Sequence, residues 1–253
     1  MRVFKILGSA SPQLVQGVSE SLAGRIGLVD LGGFDLGETG PDQWRTLWER
    51  GGFPRAFLAR STSASSLWRR NFVRTFLERD IPRLGITIPA ESLRRFWTMI
   101  AHYHGQTWNA AEFARSLGSS EGTARRYLDT LAGAFMVRVL PSWFENLKKR
   151  QVKAPKVYVR DTGLLHTLLG IPAEDQLLGH PKVGASFEGF ECKFADAPGT
   201  TRSMRVALED LGLEHLWVVY PGDEGYVLDD RISALPVAEI GPLTESMMRP
   251  AGW

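Results

Sequence analysis

The stretch "NAAEFARSLGSSEGTARRYLDTLAGAFMVRVL", residues 109–140, constrains this chain more than any other. Asn109 can cap a short helix, Phe113 and Leu117 give that helix an inward face, and Gly118 can end it. Ser119 or Ser120 then caps a second helix at once, with Ala124, Tyr127, Leu128 and Leu131 on its inner face. Two short helices joined by so tight a turn predict a helix-turn-helix. "FMVRVLP" alternates as a strand, and "KVYVRD" supplies a second. Two helices followed by a β-ribbon predict a winged helix over 106–160.

The flanking segments read differently. The apolar run Val3–Leu7 suits a buried strand, Ser11 and Pro12 can open a helix that ends at Gly24, and "RIGLVDL" is a further strand. Residues 1–33 thus form one α/β unit. Residues 34–105 are helical, with apolar stripes through Trp44, Leu47 and Trp48, through Leu67, Phe72, Phe76 and Leu77, and through Leu93, Phe96, Trp97 and Ile100. Residues 161–253 hold two helices, "TGLLHTLLG" and "TRSMRVALEDLG", then the strands "HLWVVYP" and "GYVLDD". The expected fold class is mixed α/β and α, in several domains.

Composition narrows the partners. A net charge of +2 across 253 residues sets up no global field, so any electrostatic binding must come from a local cluster. The single cysteine, Cys192, allows no disulfide within the chain and suits a reducing, cytoplasmic setting. No apolar stretch approaches the roughly 20 residues of a membrane helix, so no membrane partner is expected.

Three constellations carry chemistry. The second helix of the helix-turn-helix would offer Ser120, Thr123, Arg125 and Arg126 to double-stranded DNA. Beyond it, Lys148, Lys149, Arg150, Lys153, Lys156 and Arg160 form a run without an acidic residue, suited to phosphates. The same unit could equally be a protein-contact module with solvated basic residues. In "FEGFECK", Glu191 and Lys193 would share one face of a strand, as a nuclease metal site requires. Glu188 could reach in from a helix, but no Asp-bearing strand precedes Glu191, so no bound metal is expected. Ser9 and Ser11 could sit at the end of a strand, with Arg25 reaching a phosphate. No G-x-x-x-x-G-K-[ST] loop occurs, so ATP hydrolysis by this chain alone is not expected. His102 and His104 lack partner ligands and read as packing or surface residues.

The segments "LGSASPQLVQGVSESLAGRI", "GGFPRAFL", "FLERDI", the block 110–170 and "FE…ECK" together resemble the prokaryotic AAA-type ATPases. Those proteins join an archaeal-type ATPase domain to a C-terminal winged helix and a region similar to PD-(D/E)XK nucleases. The resemblance implies an ATPase-core remnant at 1–33, a helical lid at 34–105, a winged helix at 106–160 and a small nuclease-like unit at 161–253. It implies a chain truncated at its start and shortened between Glu188 and Glu191. Ser9 or Ser11 would then fall near a sensor position and Arg25 near the arginine that ends the next helix. Intact members use ATP and Mg; no cofactor is expected here. The leading expectation is a catalytically inactive relative that binds nucleic acid or a protein partner. The alternatives are an ATPase or nuclease subunit completed by a Walker-containing partner or by homo-oligomerisation, and a non-functional remnant.

Overall fold

The structure is a computed structural model that describes residues 31–141, 154–171, 176–177, 198–210, 213 and 215–241. Short helices come first: α1 (Leu36–Thr39), α2 (Trp44–Arg50) and α3 (Pro54–Phe57). Asp35 opens α1 with a full capping box, accepting from Glu38 N–H while the Glu38 carboxylate accepts from Asp35 N–H. Ser61 caps α4 (Thr62–Thr75), which runs on through a π-helical turn, Phe76–Asp80, into α5 (Ile81–Arg83). The wide turn immediately precedes Pro82, whose missing N–H leaves the Glu78 carbonyl without its usual donor.

Helix α6 (Ala90–His102) is the hub. It buries Leu93, Phe96, Trp97, Ile100 and Ala101. Four of these are the residues its sequence periodicity picks out. The Phe96 ring meets Trp108, Phe113 and Tyr127 at centroid distances of 5.5–6.1 Å, which ties α6 to α7 (Ala110–Leu117) and α8 (Glu121–Gly133). On the other side, Trp97 meets Phe76, and an aromatic row continues through Phe72 and Trp68 to Phe53. Such rings supply large buried areas, roughly 150–250 Å² each.

Strand β1 (Val137–Leu140) pairs antiparallel with β2 (Lys156–Val159), Val137 opposite Val159 and Leu140 opposite Lys156. Helix α9 (Thr162–Leu168) follows and returns to pack on α2, α4 and α6. The C-terminal part has its own small core. Met204 and Leu208 of α10 (Arg202–Asp210) pack on Val218 of β3 (Leu216–Tyr220) and Ile232 of β5 (Ile232–Pro236). Strand β5 lies in the middle of this sheet, parallel to β3 and antiparallel to β4 (Tyr226–Asp229). The fold is therefore mixed helical and α/β, with two small sheets. Among the described residues no helix is long and apolar enough to cross a membrane.

Two sequence expectations change. Leu67, grouped with the inward face of α4, is 53% exposed. The inner stripe is Ser65, Ser66, Arg69 and Val73, continuing to Phe76 and Leu77. Leu67 lies about 200° around the helix from Arg69, on the opposite side. The C-terminal α/β unit has three strands rather than two, since "ISALP" is the central strand β5. The expected strands and helix of 1–30 lie outside the described residues, as do Ser9, Ser11, Arg25, Lys148, Lys149, Arg150, Lys153, Glu188, Glu191, Cys192 and Lys193.

Candidate nucleic-acid interface

Local chemistry builds the helix pair. The Asn109 side-chain oxygen accepts from Ala111 and Glu112 N–H at 3.2 and 3.3 Å, satisfying two of the first donors of α7. Gly118 ends α7 at φ 65°, a left-handed conformation in which glycine carries no side-chain penalty. Ser120 caps α8: its Oγ accepts from Thr123 N–H at 3.1 Å and lies 3.1 Å from Thr123 Oγ1. Ala124, Tyr127, Leu128 and Leu131 then face the core, as the spacing predicts.

The ribbon is anchored along its β2 edge. Gly105 N–H donates to the Val157 carbonyl, Val157 N–H to Gln106, and Trp108 N–H to Pro155, at 2.7–3.1 Å. Residues 105–108 thus add a short third row beside β2. His104 is buried, and its Nδ1 accepts from Val159 N–H at 3.0 Å. That bond places the ring proton on Nε2 and makes His104 a packing residue, as expected. His102 is exposed. Among the described residues no cluster of three His, Cys, Asp or Glu side chains could hold a metal ion.

What this unit offers to a partner is a charged surface. Six exposed cations (Arg115, Arg125, Arg126, Arg138, Lys156 and Arg160) stand against three exposed carboxylates, Glu112, Glu121 and Asp129. Glu112 already accepts from the Tyr103 hydroxyl at 3.0 Å. The Arg160 guanidinium lies 5.5 Å over the Phe135 ring, at the turn where Phe135 takes φ 61°. On α8, Glu121 and Arg125 approach to 3.5 Å across one helical turn, and both stay more than half exposed. Gly122 beside them is exposed, so the first turn of α8 is low-profile. Of the residues expected to face DNA, Arg125, Arg126 and Lys156 are exposed, whereas the Ser120 hydroxyl caps α8 and the Thr123 hydroxyl lies against it. Arg138 and Arg115 were not among those candidates. The signal for Arg138 is strand alternation, which turns it away from buried Val137.

A second constellation lies deeper. Arg69, 2% exposed, donates from Nε to Thr167 Oγ1 at 3.0 Å, and from Nη1 to Ser65 Oγ at 2.8 Å and the Arg50 carbonyl at 3.2 Å. Burial lowers its pKa, and the nearby carboxylates of Asp161 and Glu49 oppose that shift. Asp161 caps α9 through Leu164 N–H at 2.7 Å and also accepts from Gly52 N–H at 2.7 Å and from Phe53 N–H. Burial pushes its carboxyl pKa up despite these donors and the Arg69 charge. Gly51, at φ 80°, leaves room for this carboxylate; a Cβ there would fall 2.3 Å from Asp161 Oδ1. A Cβ on Gly163 would meet the Arg50 carbonyl at 2.1 Å. Gly51 and Gly163 are therefore each required by close packing, the first around the Asp161 carboxylate and the second against the Arg50 carbonyl.

Against known proteins, residues 41–175 match the family described as "Domain of unknown function (DUF8612)". Two curated relatives, uncharacterized proteins Mb2031c of Mycobacterium bovis and Rv2008c of Mycobacterium tuberculosis, are each 46% identical over 94% of this chain. The chain spans 62% of the length of those relatives. No solved structure matches. These findings overturn the assignment to AAA-type ATPases, and with it the reading as a truncated ATPase with a nuclease-like domain. The segments that suggested it have packing explanations of their own: "GGFP" houses Asp161, and "FLERDI" is the π-helical turn before Pro82.

Proposed function

Because the chain belongs to the DUF8612 family, whose function is unknown, its role must be argued from its own surface, and we propose that it binds double-stranded DNA through α8 and the adjoining ribbon. One observation carries this reading. The exposed start of α8 presents Gly122, Arg125 and Arg126, while β1, β2 and the residue after them add Arg138, Lys156 and Arg160. A helix of about 10–12 Å diameter fits a major groove about 12 Å wide. The ribbon cations then suit the flanking phosphates.

The test is fluorescence anisotropy of a labelled random-sequence duplex at rising salt. Binding is expected to weaken steeply between about 50 and about 200 mM, as counterion release requires. An Arg125→Ala/Arg126→Ala variant should bind more weakly, with a shallower salt slope, by about 1 for each phosphate contact removed. No binding at low salt, or binding untouched by the double substitution, would overturn the proposal.

A further inference from the structure

Helix α8 carries an oddity for a DNA-facing helix. Its exposed charges cancel: Glu121 and Asp129 offset Arg125 and Arg126. A carboxylate at the first position of a groove-entering helix repels phosphate, so Glu121 opposes sequence-independent binding. It also stands 3.5 Å from Arg125, the two guanidinium and carboxylate ends held side by side and open to solvent. Behind them, Ser120 and Thr123 fix the first turn through two 3.1 Å contacts, and Gly122 keeps a side chain from blocking approach.

Resting on the DNA-binding reading above, we infer that Glu121 and Arg125 are a paired reader of one C·G base pair in the major groove. A carboxylate only accepts and a guanidinium only donates, so the pair presents an acceptor beside a fork of donors. The groove edge of a C·G pair is the complement: the cytosine N4 amino group donates, and guanine O6 and N7 accept. Adenine sets a donor beside its N7, so it denies the arginine fork a second acceptor. The ion pair on the free helix pre-orients both side chains, which reduces the ordering cost on binding. Glu121 thus weakens binding to arbitrary DNA while supporting binding to the right step.

The experiment selects duplexes with a randomised centre, using the full chain and its Glu121→Ala, Glu121→Gln and Arg125→Lys variants, and measures affinity for a scrambled duplex alongside. The wild type is expected to enrich one invariant C·G position, with about tenfold or greater preference over the other pairs. Glu121→Ala should lose that preference and bind the scrambled duplex more tightly, since a phosphate-repelling charge is gone. Glu121→Gln should move the preference toward adenine, which a glutamine amide can match in bidentate fashion. Arg125→Lys keeps the charge but not the fork, so scrambled-duplex affinity should hold while selection weakens. If the wild type retains duplexes without a C·G position, or keeps that position in both Glu121→Ala and Arg125→Lys, the paired-reader inference falls and the DNA-binding reading stands. If the wild type retains no duplex at all, both fall.

Discussion

At the scale of single residues, Asp161 is the position with most depending on it. Its carboxylate accepts backbone bonds from Gly52, Phe53 and Leu164, and burial raises its pKa. Asp161→Asn keeps the shape but turns an amide N–H₂ toward those donors. We expect a loss of about 1–3 kcal/mol for the groups left unsatisfied, measured by urea unfolding. The pH dependence has a definite sign. A raised folded-state pKa means that the folded chain binds the proton at higher pH than the unfolded chain. Stability from this group is then fully present below the usual carboxylate pKa of 3.8 and is lost as pH rises through the raised value. The wild type should gain stability on acidification through that window, and Asp161→Asn should lack this gain. Gly51→Ala should cost about 1–3 kcal/mol from the backbone conformation alone, and more from the clash with Asp161, visible as a drop in Tm. None of this was legible in the sequence. Arg69 stands among serines and aromatics in "SSLWRRNF", where an arginine reads as the wet side of a helix. Its partners, the Arg50 carbonyl and Thr167 of α9 among them, stand far along the chain and satisfy the buried guanidinium.

At the scale of elements, local chemistry was legible where it was complete in itself. The helix pair announced its first cap, its inner faces and its turn, and narrowed the second cap to Ser119 or Ser120, because Asn109, Gly118 and Ser120 act within a few residues of where they stand. Ser120→Ala should therefore destabilise the protein by about 1 kcal/mol, and Asn109→Ala by a similar amount, as measured by thermal unfolding. Ser120→Ala should also loosen the Glu121–Arg125 turn, which amide exchange at residues 121–124 would report. Strand β5 was missed for the opposite reason. It is five residues long, is buried along its whole length and so does not alternate, and ends on Pro236, which cannot donate to a neighbouring strand. Its place in the sheet comes from β3 and β4, which flank it. Hydropathy places apolar Leu67 on the inner stripe of α4, but the buried stripe holds Arg69 instead because it follows the guanidinium's partners.

At the scale of the whole molecule, the apolar interior is divided. One large cluster runs from Val73 to Leu165 through α4, α6, α7, α8, the ribbon and α9, a small one joins Trp48 to Ile171 and Leu177, and another joins α10 to β3 and β5. The first and the last share no residue. Phe96→Ala, which removes the ring where α6, α7 and α8 meet, should cost about 3–5 kcal/mol in the first cluster. Hydrogen exchange of the full chain should then show faster exchange across α6–α8, with protection in β3 and β5 unchanged. Equal loss in both would show that the clusters unfold as one. The bond from Gly52 N–H to Asp161 joins positions 109 residues apart. During synthesis, α2 and α3 leave the ribosome long before their latch exists. Nascent chains stalled short of Asp161 would hold the Gly51–Pro54 turn without the carboxylate it encloses. The early helices thus reach their final geometry only once α9 has been made, and translation sets the order in which this half of the protein closes.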